Sequence, residues 1–231
     1  MAATDWTFLG GGLDVATVAR GVTAGVAAPP GGGDFVFGFH SLTNAAGSVA
    51  LQATQDNFAP LVRGASIRGC VQRGPGGGAT GFSPFFFLCA QGTEVTDRAY
   101  LLGLSDDDPH RIVLRKGQIA TGIPGEGGPG VLLQSSESFR QGTWLHLRLD
   151  VIVNDNGDVV LRVLRSDLEN HPVAGPPNWQ PVPGMVLFID DALSINSGSA
   201  PLTAGRAGFG FSSREVTRRA FFDHIELWRQ L

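Results

Sequence analysis

Residues 142–165 read Gly-Thr-Trp-Leu-His-Leu-Arg-Leu-Asp-Val-Ile-Val-Asn-Asp-Asn-Gly-Asp-Val-Val-Leu-Arg-Val-Leu-Arg. Leu145, Leu147, Leu149, Val151 and Val153 share one parity, while His146, Arg148 and Asp150 take the other. Successive side chains of a strand point to opposite faces, so this pattern is a strand with one buried and one wet face. A second strand follows, with Val159, Leu161 and Val163 as its apolar set. The intervening Asn154-Asp155-Asn156-Gly157-Asp158 tolerates positive φ and reads as a hairpin turn. A long hairpin with one apolar face needs a second layer to cover it.

The rest of the chain follows the same pattern. Strands are expected at 6–9, 34–40, 48–53, 61–72, 82–91, 98–104, 110–115, 131–134, 144–153, 158–165, 207–212 and 220–228. Clusters such as Pro29-Pro30-Gly31-Gly32-Gly33 and Gly74-Pro75-Gly76-Gly77-Gly78 punctuate them. Many short strands with almost no helical periodicity predict an all-β, two-sheet antiparallel sandwich. A short helix or irregular excursion is expected at 179–195. With no internal repeat and no linker, residues 1–231 read as one domain, with 1–30 as an N-terminal arm. In Phe82-Ser-Pro-Phe-Phe-Phe-Leu88, Pro84 argues against a central position for that part of the strand. The run is either covered core or packed against a neighbouring subunit.

A net charge of −4 with no basic block excludes nucleic acid as the main partner, because phosphate neutralisation needs clustered cations. Lys116 is the only lysine. The N-terminus lacks the basic and apolar regions of a secretory signal, and no apolar run reaches the ~20 residues of a membrane span. Cys70 and Cys89 fit no zinc spacing and read as buried free thiols on strands that antiparallel pairing would bring close.

The later segments carry a resemblance. Tyr100-Leu-Leu-Gly-Leu104 is followed by His110-Arg-Ile-Val-Leu-Arg-Lys-Gly117, then Trp144-Leu-His-Leu-Arg-Leu-Asp150 and the Gly157-Asp158 hairpin. Gly205-Arg-Ala-Gly-Phe-Gly-Phe211 and Phe221-Phe-Asp-His-Ile-Glu-Leu227 close the series. The order resembles the concanavalin A-like lectin/glucanase superfamily, a jelly roll that includes legume lectins and laminin-G modules. The resemblance covers about residues 98–230 and implies a jelly-roll sandwich. That superfamily hosts lectins, glycosidases, adhesion modules and structural domains, so the fold leaves function open.

Glycoside hydrolysis needs two facing carboxyl groups. The Glu-x-Asp-x-x-Glu strand of the glucanase branch is missing, and in Glu94-Val-Thr-Asp97 the odd spacing puts the acids on opposite faces. Catalytic residues are therefore not assigned, and the chain is read as leaning away from an enzyme. His224 and Glu226 share parity on the last strand, together with Phe222 and Trp228. An imidazole, an acid and an indole on one face would stack on a sugar ring and bond its hydroxyls. His146 and Arg148 head a similar row with Asp150. His224, Glu226, Trp228, His146 and Arg148 are thus the candidate ligand-binding residues. His40, His110 and His171 are isolated.

No cofactor is required, with calcium as the one candidate. Calcium takes six to eight oxygen ligands, and many members of the superfamily hold it at the sandwich rim. Asp106, Asp107 and Asp108 are the candidate ligands. Asn154–Asp158 lacks the distal Glu of a calcium loop and reads as a turn.

The expectation is a non-catalytic, virion-associated structural, decoration or adhesion protein whose partners are other virion or surface proteins or a glycan. It is expected to be homo-oligomeric and made in the host cytoplasm without a signal peptide. A cytoplasmic protein, a glycan-active hydrolase or lyase, and a calcium-dependent lectin are the alternatives.

Overall fold

The computed structural model describes residues 6–11, 14–19, 35–40, 47–53, 64–74, 80–125, 127–166, 177–191, 199–215 and 218–229. The strands are β1 (Trp6–Gly11), β2 (Asp14–Ala19), β3 (Phe35–His40), β4 (Gly47–Ala53), β5 (Gly64–Arg73), β6 (Phe82–Ala90), β7 (Arg98–Leu104) and β8 (His110–Gln118). They continue with β9 (Val131–Phe139), β10 (Trp144–Val153), β11 (Val159–Ser166), β12 (Trp179–Pro181), β13 (Phe188–Asp190), β14 (Arg206–Ser213) and β15 (Arg219–Arg229). A 3₁₀ turn at Ile119–Thr121 follows β8.

Two antiparallel sheets face each other. One has seven strands in the order β1-β4-β14-β6-β7-β8-β9. The other has eight, β12-β11-β10-β5-β15-β3-β2, with β13 also pairing β11. The β10–β11 hairpin forms in the expected register, Leu149 opposite Val163 and Val153 opposite Val159. Asn154 fixes its turn: its side-chain oxygen accepts from the backbone N–H groups of Asn156 and Asp158, and Gly157 supplies φ +85°.

The expected excursion at 179–195 is not helical where it is described. Val182 and Met185 form a bridge between β12 and β13, and both short strands pair along the free edge of β11. The weakly alternating 14–19 segment is also a strand. Within 1–30, β1 and β2 form the outermost strands of the two sheets. Cys70 and Cys89 are buried and not disulfide-bonded, but they sit on strands of opposite sheets rather than on a paired hairpin. Burial pushes the Cys89 thiol up to about 12.

The core lies between the sheets. Leu145, Leu147, Leu149 and Val151 from β10 meet Phe86 and Leu88 from β6 and Phe209 and Phe211 from β14. Phe222 is its aromatic hub, with ring centroids 5.0 Å from Phe209, 5.4 Å from Phe39 and 5.6 Å from Phe86. The Phe39 and Phe86 contacts are edge-to-face, and such pairs add about 0.5–1.5 kcal/mol beyond burial.

β6 is central in its sheet, but not at Pro84. It lies between β14 and β7. Pro84 is opposite Phe211 on one side, and the β7 ladder starts one residue later, at Phe85. The missing N–H therefore interrupts no β7 pairing.

The Phe-rich run is core on both faces. Phe85 and Phe87 turn away from the inter-sheet core and pack with Leu101, Val113, Ile119 and Ile123. The chain after β8 covers this outer face. Arg115 ties it down, donating to the Pro129 carbonyl (3.1 Å), the Thr121 hydroxyl (2.6 Å) and the Gly122 carbonyl.

Candidate functional site

The outer face of the eight-stranded sheet is built differently. Strands β11, β10, β5 and β15 lie side by side, and their outward residues fall into cross-strand rows. One row is Arg162, Asp150, Ser66 and Trp228. The next is Leu164, Arg148, Arg68 and Glu226. The third is Ser166, His146, Cys70 and Asp223, with Trp179 of β12 opposite Ser166. His146, Arg148, Glu226 and Trp228 are thus gathered on one face, and His224 sits beside them at an irregularity in β15.

That irregularity corrects the expected parity of β15. Between Asp223 (opposite Cys70) and Glu226 (opposite Arg68), β15 advances three residues while β5 advances two. The extra residue is a β-bulge, and His224 adopts φ +51° within it. Phe222 therefore faces the core, whereas Glu226 and Trp228 face out. A left-handed backbone at a non-glycine residue is uncommon, and here it re-aims the strand's polar end. The His224 backbone N–H donates to Asp223 (2.8 Å), and its Nδ1 lies 3.6 Å from the other Asp223 carboxylate oxygen and 4.0 Å from the Cys70 sulfur.

Asp150 anchors the face. Its side chain is fully buried and accepts from the Ser66 hydroxyl (2.5 Å), Arg148 Nε (2.6 Å) and Arg162 Nη2 (2.7 Å). Three donors, two of them charged, satisfy a carboxylate that would otherwise be costly to bury. They also fix both guanidinium groups. Arg68 is held in the same way, donating to Glu226 (2.7 Å) while its guanidinium lies 3.8 Å from the Trp228 ring centroid and 5.9 Å from that of Trp179. Trp179 in turn packs on His146, with centroids 4.5 Å apart. The most exposed groups of this ordered layer include the Glu226 carboxylate and Arg162, with side chains 44% and 43% exposed, and Trp228, 37% exposed.

Arg68, Arg162 and Trp179 escaped the sequence reading. For β5 the signal was present, since Ser66, Arg68, Cys70 and Gln72 alternate with Ala65, Ile67, Gly69 and Val71. Trp179 lay in the excursion, where no period marks its direction.

Asp106, Asp107 and Asp108, the expected calcium ligands, lie between β7 and β8 and close to arginines. Asp106 pairs with Arg214, and the Asp107 carbonyl accepts from buried Arg73 (2.5 Å). Burial pulls Arg73 down to about 10 against the opposing field of the three carboxylates. The acidic loop compensates arginines. Among the described residues no group of three or more His, Cys, Asp or Glu side chains is arranged to hold a metal ion.

Of the other acids, Asp97 accepts from the Glu94 backbone N–H (2.7 Å) and closes its own turn. Of the isolated histidines, His110 is fully buried with neither ring nitrogen hydrogen-bonded. Burial, helped by the Arg73 charge, holds it down to about 3, so it is neutral. His40 lies on β3, and His171 is outside the described residues.

Comparison with solved structures identifies the architecture. The potassium-bound Emp46p carbohydrate recognition domain superposes with a TM-score of 0.56 at 13% identity, covering 99% of this chain and 90% of that one. The fold is the concanavalin A-like lectin sandwich. The cellulose-induced protein Cip1 (TM-score 0.55, 11% identity, 100% and 94% covered) shares this lectin-like architecture. So does the VIP36 exoplasmic/lumenal domain in its Ca²⁺/Man3GlcNAc-bound form (0.53, 11%, 100% and 85%). No family model and no curated protein matches the sequence. Among the described residues, no helix of this lectin-like chain is long and apolar enough to cross a membrane.

Proposed function

We propose that the chain is a glycan-binding module and that the outer face of its eight-stranded sheet is the binding platform. The observation that carries this reading is the pairing of an exposed indole, Trp228, with an exposed carboxylate, Glu226, over fixed arginines. A pyranose offers an apolar C–H face and a ring of hydroxyls. The indole takes the first, and Glu226, Arg148 and His224 take the second. A carboxylate has about four lone-pair sites, so its bond to Arg68 leaves acceptor capacity. Pre-ordered side chains also lose little entropy on binding. The carbohydrate recognition domains among the structural neighbours support the reading.

Binding proceeds without turnover. Asp150 is engaged by three donors and is not poised as an acid or base. Glu226 is held by Arg68.

The platform is tested by screening the purified chain on a glycan array, once with calcium and once with EDTA. Binding that a soluble sugar competes away is expected. A blank from demonstrably folded protein would refute it.

A second reading places the ligand on another protein, as in a homo-oligomeric virion or adhesion component. One observation favours it: Val186, Leu187 and Ile189, beside the platform's β12–β13 edge, are exposed. Light scattering on the purified chain checks self-association.

A further inference from the structure

The only lysine and the only tyrosine of the chain meet at one buried carboxylate. Tyr100 on β7 and Lys116 on β8 are cross-strand partners in the seven-stranded sheet. Asp190 comes from β13, which pairs with β11 of the other sheet. Lys116 Nζ lies 2.6 Å from Asp190 Oδ2, and both side chains are fully buried. The Tyr100 hydroxyl donates to the same oxygen (2.5 Å) and accepts from the Leu202 backbone N–H (2.9 Å). Lys116 also donates to the Ser199 carbonyl (2.8 Å). Asp190 Oδ1 is buried and has no hydrogen-bond partner among the described residues.

A buried ion pair repays its desolvation only when its remaining lone pairs are satisfied, and here one oxygen is not. An amine and a carboxyl in contact, shielded from water and beside a fixed proton donor, are the components of an amide condensation. We propose that Lys116 and Asp190 form an intramolecular isopeptide bond.

Within the pair, one proton passes from the ammonium to the carboxylate, leaving a neutral amine and a neutral acid. The Nζ lone pair attacks Asp190 Cγ while Tyr100 polarises the carboxyl group. The C–N bond forms, and the C–O bond breaks with its electron pair leaving on oxygen. That oxygen departs as water with one proton from the acid and one from the amine. Tyr100 returns unchanged, and no other reactant is consumed. The product joins the seven-stranded sheet to the β13 edge of its partner and removes both buried charges.

Intact mass spectrometry of the denatured full-length chain decides the matter, together with labelling by an amine-reactive reagent. The wild type is expected to be one water lighter than its sequence mass. Because Lys116 is the sole lysine, the cross-linked chain has no ε-amine to label. Lys116→Met and Tyr100→Phe are expected at full sequence mass, and protease digestion of the wild type should give a branched fragment joining the segments around residues 116 and 190. Folded wild type at full mass with one reactive ε-amine would overturn the proposal. So would a chain one water lighter that keeps its ε-amine, because that is a succinimide. If either variant fails to fold, the wild-type mass and labelling still decide.

Discussion

The two sheets are covered in opposite ways. Outside the seven-stranded sheet lie Phe85, Phe87, Leu101 and Val113, roofed by Ile119 and Ile123. Outside the eight-stranded sheet lie Arg68, His146, Arg148, Asp150, Glu226 and Trp228, and among the described residues the short β12 segment reaches across through Trp179. One outer face is a second hydrophobic core. The other is a polar layer whose charges are neutralised within itself. A side chain on the first is there for stability. A Trp on the second, half in water over an arginine, contributes little to the core and is available to a ligand.

Substitutions should separate the two faces. Phe87→Ala removes a fully buried ring from the covered face, and a loss of about 3–5 kcal/mol is expected by urea denaturation. A loss below about 1 kcal/mol would show that the cover is loose. Asp150→Ala on the polar face strands two guanidinium groups, but both are partly exposed and can turn to water. The expected cost is smaller, about 1–3 kcal/mol, with weakened glycan binding as Arg148 loses its fixed position. Equal stability losses for the two variants would break the distinction.

His110 sharpens it through pH. The folded protein holds this imidazole at about 3, against an ordinary value of 6.5. Between those values the unfolded chain binds a proton that the folded chain does not, so stability rises with pH across that window and is lost as pH falls. The slope from this group is at most about 1.4 kcal/mol per pH unit. His110→Phe is expected to flatten the pH dependence of the melting temperature from pH 4 to pH 6, and an unchanged profile would contradict a buried neutral imidazole. The smallest stability effect belongs to Trp228→Ala, within about 0.5 kcal/mol of wild type.

The parts of this organisation legible in the sequence are those where one period governs a whole strand. The β10–β11 hairpin was readable because Leu145 to Val153 keep strict alternation, and that same alternation placed His146 and Arg148 on the wet face. β15 was readable only in part. A single extra residue at His224 reverses the parity, and bulges leave no period in the sequence. Phe222 was therefore assigned to the face of Glu226 although it belongs to the core. β12 and β13 were hidden for another reason: three-residue strands are too short for a period and form because β11 presents a free edge. At the acidic triplet the sequence shows the charge but not the distant Arg73 and Arg214 that lie beside it.

The most direct test is to compare wild type and Trp228→Ala in a binding titration against the sugar selected by the glycan array, alongside their melting temperatures. Lost binding at an unchanged melting temperature is the expected result. Undiminished binding by the folded variant would contradict the assignment of the eight-stranded sheet's outer face as the glycan platform.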